Sequence, residues 1–355
     1  MTNPGDSGTK RPLRLATYNI EWFNALFDDR GRMLEDRELS ARYQTTRADQ
    51  LGAIAIVLTA MNADGVMIIE GPDQGSKRST VKALEGFARH FGLRTRKAVH
   101  GFASETEQEI AFLYDPDRLT ARHDPMCDPA LAGGAPGAPR FDTTLRADLD
   151  LDGVAEQIRF SKPPLELAIT ADGTPLRLIG VHAKSKAPHG QMPQAQFIRI
   201  SIENRRKQLA ECQWLRRRID SHLAAGASVI VLGDLNDGPG LDEYEKLFGH
   251  SGVEIVLGLN SGAEMHLYDP HAHMALAQKT GISPTTARFW LAPQKRYFEA
   301  LLDFIMVSPD LAAHSPDWRI WHPFNDPAVM SIPELRDALL TASDHFPVTI
   351  DLEIN

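Results

Sequence analysis

The sequence VIVLGDLND, residues Val229–Asp237, joins a short run of aliphatic residues to an acidic turn. The run is long enough for a buried β-strand and too short for a typical helix. It leads directly to Asp234 and Asn236, and side chains two positions apart in an extended chain point the same way. The stretch therefore predicts a buried strand whose end presents an acid and an amide together.

Other apolar runs of the chain also end in polar residues. Leu15–Tyr18 leads to Asn19, and the stretch SDHFPVTIDL at Ser343–Leu352 puts Asp344 and His345 just before the last strand. The polar residues at predicted strand ends are Asn19, Glu21, Glu70, His182, Asp234, Asn236, Asp303, Asp344 and His345. A buried charge is costly unless it is paired or bound to a metal ion. Because strand ends collect at one rim of a sheet, we expect one shared metal site.

The residue types of this set indicate its chemistry. Carboxylate and amide oxygens without cysteine suit a hard cation, Mg²⁺ or Mn²⁺, and Ca²⁺ is also acceptable to such ligands. Histidines beside carboxylates can stabilise a phosphate or move a proton. Together these groups predict metal-dependent hydrolysis of a phosphate ester.

The composition excludes several classes of protein. The 355 residues include 38 Lys and Arg against 47 Asp and Glu, so the formal charge is −9. This balance argues against a passive coat on nucleic acid, but it allows an enzyme with a local basic groove. The sequence contains no run of about 18 apolar residues, the length that is needed to span a membrane. The first residues lack the apolar core of a signal peptide, so we expect a cytoplasmic protein, with no membrane or stable protein partner, that acts as a monomer.

The order of the predicted elements indicates the domain organisation. Residues 1–12 are polar and predict a disordered lead, and residues 13–355 predict one domain in which two sheets are flanked by helices. The predicted strands are Leu13–Phe23, Val66–Glu70, Glu109–Tyr114, Leu165–Thr170, Leu176–His182, Ser228–Leu232, Leu301–Ser308 and Phe346–Leu352. The predicted helices are Ala48–Met61, Ser79–Phe91 and Gln194–Leu223. Asp152-Gly153 and Asp172-Gly173 predict hairpin turns, and residues 250–298 are expected to be irregular.

The motifs TYNIEWF, IIE, GVHAKSK, VIVLGDLND, LLDFIMVS and SDHFPVTIDL occur in this order between Leu13 and Leu352. The series resembles that of the endonuclease/exonuclease/phosphatase superfamily, which includes deoxyribonucleases, exonuclease III-type AP endonucleases, sphingomyelinases and inositol polyphosphate phosphatases. The resemblance implies an α/β fold, a four-layered α/β/β/α sandwich of two mostly antiparallel sheets flanked by helices. The HAKSK run is similar to that of bacterial members.

The resemblance also implies metal ligands. Glu70 corresponds to the principal ligand, with Asn19 beside it, and Asp344 to a further ligand or an orienting contact. Glu21 stands where AP endonucleases carry a metal-contacting acid and deoxyribonucleases do not. The family motif has an apolar residue after the glutamate, whereas this chain has Gly71-Pro72, which we expect to bend the chain and reshape the rim of the site.

The same resemblance implies catalytic roles for five residues. Asp234 would position or deprotonate the attacking water, and Asn236 would hold a phosphate oxygen. His345, paired with Asp303, would act as a general base or a phosphate contact. His182 would stabilise the developing charge or protonate the leaving oxygen.

Basic residues near the expected rim predict substrate binding. Lys162 stands in the Arg position of an Arg-Pro-Pro run known from secreted nucleases, where lysine offers a point charge and no bidentate fork. Lys184 and Lys186 follow His182, and Arg205 is the arginine expected to turn inward from an otherwise solvated helix face. The arginines of that helix are Arg205, Arg206, Arg216, Arg217 and Arg218. The basic set Lys162, Lys184, Lys186 and Arg205 favours a nucleic acid as the substrate, because phosphate contacts supply most of the affinity for nucleic acids.

The sequence is compatible with three functions. The first is a metal-dependent nuclease, and the alternative is a phosphatase or phosphodiesterase on a small-molecule or lipid phosphate, of the inositol phosphate or sphingomyelin type. The third, a catalytically inactive binding scaffold, is disfavoured because all the core residues are present. A second, zinc-like site from the histidines of residues 250–298 lacks a strong spacing motif. Packing in the core is the expected role of Phe289, Trp290 and Tyr297, with stacking on a base as the alternative.

Overall fold

The computed structural model gives the positions of most of the chain. The described residues are 11–125, 134–135, 138–147, 155–186, 192–238, 249–277, 283–291 and 295–354. The predicted lead falls outside them except for its last two residues, and so does the predicted Asp152-Gly153 turn. The prediction of a single domain over 13–355 stays a prediction.

The strands and helices alternate along the chain, with several short strands in its middle third. The strands are β1 Leu13–Asn19, β2 Gly65–Gly71, β3 Lys97–His100, β4 Glu109–Tyr114, β5 Leu119–His123, β6 Gly134–Ala135, β7 Ala138–Pro139, β8 Leu145–Ala147, β9 Glu156–Ile158, β10 Leu165–Ala171, β11 Thr174–His182, β12 Val229–Asp234, β13 Ala287–Leu291, β14 Arg296–Ala300, β15 Asp303–Val307, β16 Asp317–Ile320 and β17 Val348–Leu352. The α-helices are α1 Arg47–Met61, α2 Thr80–His90, α3 Gln194–Ala224, α4 Gly252–Leu257, α5 Pro270–Leu276, α6 Pro309–Ala312, α7 Pro327–Met330 and α8 Pro333–Ala342.

Two large sheets form the centre of the protein. The first has the order β16-β17-β1-β2-β4-β3, and the second has the order β15-β12-β11-β10-β5. Each sheet is antiparallel except for one central parallel pair, β1 with β2 and β11 with β12. The expectation of two mostly antiparallel sheets is therefore confirmed.

The alternation of side chains along the strands builds four layers. In β1, Leu15 faces the second sheet while Tyr18 faces the helices α1, α2 and α8. In β12, Ile230 faces the first sheet while Val231 faces α3 and α4. Successive side chains of a strand point to opposite faces, so each sheet buries one face against the other sheet and one against helices. The result is the expected α/β/β/α sandwich.

The sheets approach closely where the site lies. A Cβ atom on Gly180 of β11 would collide with the side chain of Met67 on β2. His182 lies two residues after Gly180, and Glu70 lies three residues after Met67. Gly180 therefore allows the ends of the two parallel pairs to come together across the sandwich.

The structure corrects several expectations about individual elements. Residues 250–298 are not simply irregular, because they contain α4, α5 and the hairpin β13–β14. The strand predicted to reach Phe23 ends at Asn19 and continues as a 3₁₀ turn at Phe23–Leu26. The arginine face of α3 is not uniformly solvated, because Arg205, Arg216 and Arg218 are buried. Among the helices of the described ranges, none is long and apolar enough to cross a membrane.

Candidate active site

The site lies where the carboxyl ends of the two parallel strand pairs meet. Asn19 ends β1 of the first sheet, and Asp234 ends β12 of the second. The buried Nδ2 of Asn19 donates a hydrogen bond of 3.0 Å to Oδ2 of Asp234. This bond joins the two sheets directly, so residues 215 positions apart in sequence share one site.

The second sheet presents a row of polar side chains across three neighbouring strands. His182 is paired in register with Asp234, and Asp234 with Asp303. The imidazole Nδ1 of His345 lies 2.8 Å from Oδ2 of Asp303, and Nε2 of His182 lies 3.8 Å from Oδ2 of Asp234. The predicted pairing of His345 with Asp303 is thus present in the structure.

Burial and neighbouring charges shift the pKa values of His345 and His182 in opposite directions. Burial alone would lower the pKa of His345, but the charges of Asp303, Asp234 and Asp344 outweigh it and raise that pKa well above its usual range. Burial lowers the pKa of His182, with the charges of Lys162 and His345 adding to the effect. Near neutral pH, His345 is therefore held as the imidazolium and His182 as the neutral imidazole.

Asp234 has an unusual environment for a carboxylate. Burial, followed by the charge of Asp303, raises the pKa of Asp234 to about 7. Its Oδ1 accepts the backbone N–H of Asn236 at 2.7 Å, and Oδ2 accepts the Nδ2 of the same residue at 3.2 Å. A carboxylate whose pKa lies near the working pH can accept a proton from water and release it again.

A side chain of helix α3 stabilises the turn that carries Asn236. Asn236 has a left-handed backbone, with φ at 49°, and its Nδ2 also donates to the carbonyl of Ala183 at 3.1 Å. The Nε2 of Gln208 donates to the carbonyls of Asn236 and Lys184, both at 2.9 Å. Gln208 thus supports the turn, and the sequence does not predict this role, because one glutamine on a helix carries no distinctive signal.

Glu70, the penultimate residue of β2 in the first sheet, has a strained backbone conformation. Its φ is 65°, and the pairing of β2 with β4 shifts register between Ile68 and Gly71. Its Oε2 accepts the backbone N–H of Trp22 at 3.0 Å and the Nε2 of Gln108 at 2.7 Å. Burial raises the pKa of Glu70. Positive φ at a residue with a side chain is costly and clusters at functional sites; the expected bend at Gly71 takes the form of this bulge.

Glu21 and Asp344 complete an acidic group beside Glu70. Burial and then the charge of Asp344 raise the pKa of Glu21 to about 7, against the opposing pull of Arg42. The guanidinium of Arg42 forms an ion pair with Glu21, and its Nη2 donates to the carbonyl of Leu340 at 2.9 Å. Arg42 was not predicted, because it reaches the site from a loop far from every motif.

The donors in this region suit a hard cation. The amide oxygen Oδ1 of Asn19 is buried and, among the described residues, has no hydrogen-bond partner. Asn19 pairs in register with Ile69, which precedes Glu70, and its backbone carbonyl accepts from the hydroxyl of Ser343, which precedes Asp344. Atoms of Asp234, Asp303 and His345 also lie within 4.8 Å of one another, but Nδ1 of His345 is engaged by Oδ2 of Asp303 at 2.8 Å. Oδ1 of Asp303 is buried and has no hydrogen-bond partner among the described residues. We therefore favour Asn19, Glu70 and Asp344 as the residues that would hold a metal ion.

The predicted substrate-binding residues fall into two groups. Lys162 lies inside the site: its Nζ donates to Oε1 of Gln108 at 2.8 Å and lies 3.3 Å from Nδ1 of His182. Lys184 is half-buried and its backbone N–H binds the buried Glu211 at 2.8 Å. These two residues, with His182 and Trp22, line a cleft of about 410 Å³ beside the row of the second sheet.

The other two predicted contacts are directed into the protein. The guanidinium of Arg205 is buried and its Nη1 lies 2.6 Å from Oδ1 of Asp237. The Nζ of Lys186 lies 2.7 Å from the same oxygen. Arg205 did turn inward, but its burial prevents the substrate contact that was expected, and the structure gives it a role in supporting the turn after Asp234.

The histidines at 250, 266, 271 and 273 do not assemble with other ligands into a metal group among the described residues. For the aromatic residues of 250–298 the expected core packing holds only for Phe289, which packs against the buried Ala287, Ala300 and Leu302. Trp290 and Tyr297 do not pack in the core, because they are 53% and 55% exposed and face each other with ring centroids 5.1 Å apart. The hairpin that carries them is tied to the site, since the backbone N–H of Arg288 donates to the carbonyl of Asp344 at 2.7 Å.

The geometry and the motif order agree with a comparison to known families. The model of the endonuclease/exonuclease/phosphatase family matches residues 16–345. The chain belongs to this family, and the membership indicates a phosphoester hydrolase that uses a divalent metal ion. No curated protein sequence matches the chain.

Solved structures share the fold at low sequence identity. TDP2 from Caenorhabditis elegans superposes with a TM-score of 0.50 at 13% identity, over 98% of this chain and 78% of that one. An AP endonuclease from Archaeoglobus fulgidus gives a TM-score of 0.47 at 12% identity, over 96% of this chain and 100% of that one. An endonuclease/exonuclease/phosphatase from Bacteroides vulgatus gives 0.47 at 12% identity, over 98% and 100%.

Proposed function

We propose that this protein is a nuclease that hydrolyses phosphodiester bonds with Mg²⁺ or Mn²⁺. The observation that carries the proposal is the hydrogen bond between Asn19 and Asp234. It joins a group of hard oxygen donors on one sheet to a histidine and carboxylate row on the other. Such an arrangement can hold a cation and move a proton at the same phosphate.

Each residue of the row has a distinct part in the proposed reaction. A bound divalent ion would neutralise charge on the phosphate oxygens. Asp234 orients the attacking water and accepts its proton, and Asn236 holds a phosphate oxygen through its amide. The imidazolium of His345, oriented by Asp303, donates a hydrogen bond to the developing negative charge. This assigns His345 the role of a phosphate contact rather than that of the general base.

The leaving group lies on the opposite side of the phosphate in this scheme. The neutral His182 stabilises the departing oxygen, and the ammonium of Lys162 beside it adds positive charge. Burial lowers the pKa of Lys162, although the charges of Glu70 and Asp234 oppose that change. A lysine held this close to a histidine can also supply the proton that the leaving oxygen takes up.

Features outside the reaction centre favour a polynucleotide over a small phosphoester. Lys184 lies next to the centre, where it can contact a flanking phosphate. Trp290 and Tyr297 expose aromatic rings on the hairpin that borders Asp344, and Arg288 stacks on Tyr297 with 4.0 Å between Cζ and the ring centroid. Exposed aromatic side chains stack on bases whatever the sequence.

A panel of substrates tests the proposal. Plasmid DNA, RNA, duplex with an abasic site, bis-p-nitrophenyl phosphate, sphingomyelin and inositol phosphates would be incubated with Mg²⁺, with Mn²⁺ and with EDTA. We expect metal-dependent cleavage of a polynucleotide. Turnover of only a lipid or inositol phosphate would replace the nuclease with the small-substrate alternative, and no turnover of any substrate would support a binding scaffold.

A further inference from the structure

Gln108 occupies the space between the metal-binding and the phosphate-binding parts of the site. It directly precedes β4, and its side chain bridges two residues of opposite charge. Its Nε2 donates to Oε2 of Glu70 at 2.7 Å, and its Oε1 accepts from Nζ of Lys162 at 2.8 Å. No motif of the sequence contains this residue.

The chemistry of the two neighbours fixes the orientation of the amide. An ionised carboxylate only accepts hydrogen bonds, and an ammonium group only donates them. The NH₂ group of Gln108 must therefore face Glu70, and its carbonyl must face Lys162. A rotation of the amide by 180° would place donor against donor and acceptor against acceptor.

The backbone of Gln108 is held in place for this task. Its φ is 80°, a left-handed conformation that residues with a side chain rarely adopt. Its N–H donates to Oδ1 of Asp73 at 2.8 Å, and Arg78 binds the other oxygen of Asp73 at 3.2 Å. Arg78 also donates to the carbonyl of Asn24 at 3.1 Å. The backbone of Gln108 is thus anchored to the loop of Asp73, and through Arg78 to the 3₁₀ turn that contains Asn24, independently of Glu70 and Lys162.

The bridge keeps two attracting charges apart. The charges of Lys162 and Glu70 interact, yet the end groups of both contact Gln108 rather than each other. A direct ion pair would engage a carboxylate oxygen that a metal ion needs. It would also engage the ammonium that a phosphate oxygen needs, so both functions would weaken together.

We propose that Gln108 is a positioning residue that prevents Lys162 from pairing with Glu70, and so keeps one available to a metal ion and the other to a phosphate. The proposal rests on the proposed function, because it takes Glu70 as a metal ligand and Lys162 as a phosphate contact. It goes further in assigning a spacer amide that neither the family motifs nor the spacing of the sequence indicates.

The test measures Mn²⁺ binding by titration calorimetry on the whole protein, separately from activity. In Gln108→Ala the lysine is free to move onto Glu70, and we expect the Mn²⁺ dissociation constant to rise about tenfold, the scale of one hydrogen bond to a charged group. In Gln108→Ala with Lys162→Met, no cation remains to pair with Glu70. We expect the Mn²⁺ affinity to return to within about twofold of that of Lys162→Met alone.

Kinetics supply a second readout. In Gln108→Ala we expect the KM for bis-p-nitrophenyl phosphate at saturating Mn²⁺ to rise severalfold, because the lysine is diverted from the phosphate. The matched control is Gln44→Ala, which removes an exposed glutamine that also has a left-handed backbone, with φ at 55°. We expect this variant to bind Mn²⁺ and turn over like the wild type.

Two outcomes would overturn the proposal. One is a wild-type Mn²⁺ affinity in Gln108→Ala, and the other is failure of Lys162→Met to restore the affinity in the double variant. If Gln108→Ala melts early, Gln108→Met replaces it, since methionine keeps the length and lacks the amide. Glu70→Ala separates this proposal from the proposed function: if it binds Mn²⁺ like the wild type, the metal site itself is misassigned, whatever Gln108 does.

Discussion

The two central parallel strand pairs deliver side chains to the same site in different ways. In the second sheet, regular pairing of β11, β12 and β15 places His182, Asp234 and Asp303 side by side. In the first sheet, β2 is irregular at its end, and Glu70 has a φ of 65° outside the regular register. One set of groups is positioned by backbone hydrogen bonds, and the other by side-chain contacts with neighbouring loops.

This difference matches the different tasks that we propose for the two sides. Proton transfer and charge stabilisation require groups at fixed distances, which a ladder of strands supplies. A hard cation requires several oxygens from different directions, which one straight strand cannot supply. The irregular end of β2 turns Glu70 toward Trp22 and Gln108, where it lies beside Glu21 and Asp344.

Removal of Glu70 should give the largest effect on activity. In Glu70→Ala we expect turnover to fall at least a thousandfold, about the loss expected when a main source of charge stabilisation is removed. The fold should survive, because the substitution relieves repulsion among clustered acids. Hydrolysis assays and thermal unfolding would be compared with those of Glu353→Ala, which removes an exposed glutamate that follows β17. Full activity of Glu70→Ala, or undiminished activity in EDTA, would exclude the assigned metal ligand.

Substitution of Asp303 in the second sheet should lower turnover less than loss of Glu70, and should also move the pH–rate profile. In Asp303→Asn we expect turnover to fall about 10- to 100-fold, with little change in KM. The variant loses the charge that raises the pKa of His345. His345 would then lose its proton at lower pH, so the alkaline limb of the pH–rate profile should move to lower pH. A change in KM alone would contradict the orienting role of Asp303.

Loss of the Lys184 side chain should weaken the cleavage of polymeric substrates only. In Lys184→Ala we expect severalfold weaker cleavage of plasmid DNA and a salt dependence reduced by about one counterion. Hydrolysis of bis-p-nitrophenyl phosphate should stay within about twofold of the wild type, because this diester has no flanking phosphate. Lys186→Ala provides the contrast, since Lys186 binds Asp237 and should affect both substrates equally. Equal losses for Lys184→Ala would show that it supports the site itself.

Glu211, a buried acid on α3, should make the stability of the fold depend on pH. Burial raises the pKa of Glu211 on α3 to about 7, against 4.5 in an unfolded chain. The folded state thus favours the protonated form, and the stability from this group is complete below pH 4.5 and is lost as the pH rises to about 7. In Glu211→Gln we expect a gain of up to about 3 kcal/mol above pH 7 and little gain at pH 4.5.

Urea unfolding at pH 4.5, 6 and 8 checks this expectation. The difference between Glu211→Gln and the wild type should grow with pH and level off above pH 7. Glutamine can still accept the backbone N–H of Lys184 that Glu211 binds, so the substitution keeps that bond. Parallel stability curves at all three pH values would show that Glu211 stays ionised in the folded protein.

The polar residues at strand ends predict most of the groups at the site, and the resemblance to the endonuclease/exonuclease/phosphatase family predicts the four layers. Period-two alternation in strands such as β1 and β12 fixes which side chains face helices and which face the other sheet. Hydrogen-bonded turns such as Asp172-Gly173 fix their own geometry, and Asp172 has the positive φ that such a turn needs. Motifs that end strands therefore located Asn19, Asp234 and His345 without any structure, because strand ends must meet at a sheet edge.

The packing of sheets and loops in three dimensions selects which of these groups contact one another and which other residues join them. Gln108 and Arg42 belong to loops with no motif, and their partners Lys162, Glu70 and Glu21 are distant in sequence. Arg205 shows the converse, since its expected substrate contact is replaced by a buried ion pair with Asp237. Local sequence fixes backbone conformation over a few residues, whereas the partner of a charged side chain is chosen by what the folded layers bring within about 4 Å of it.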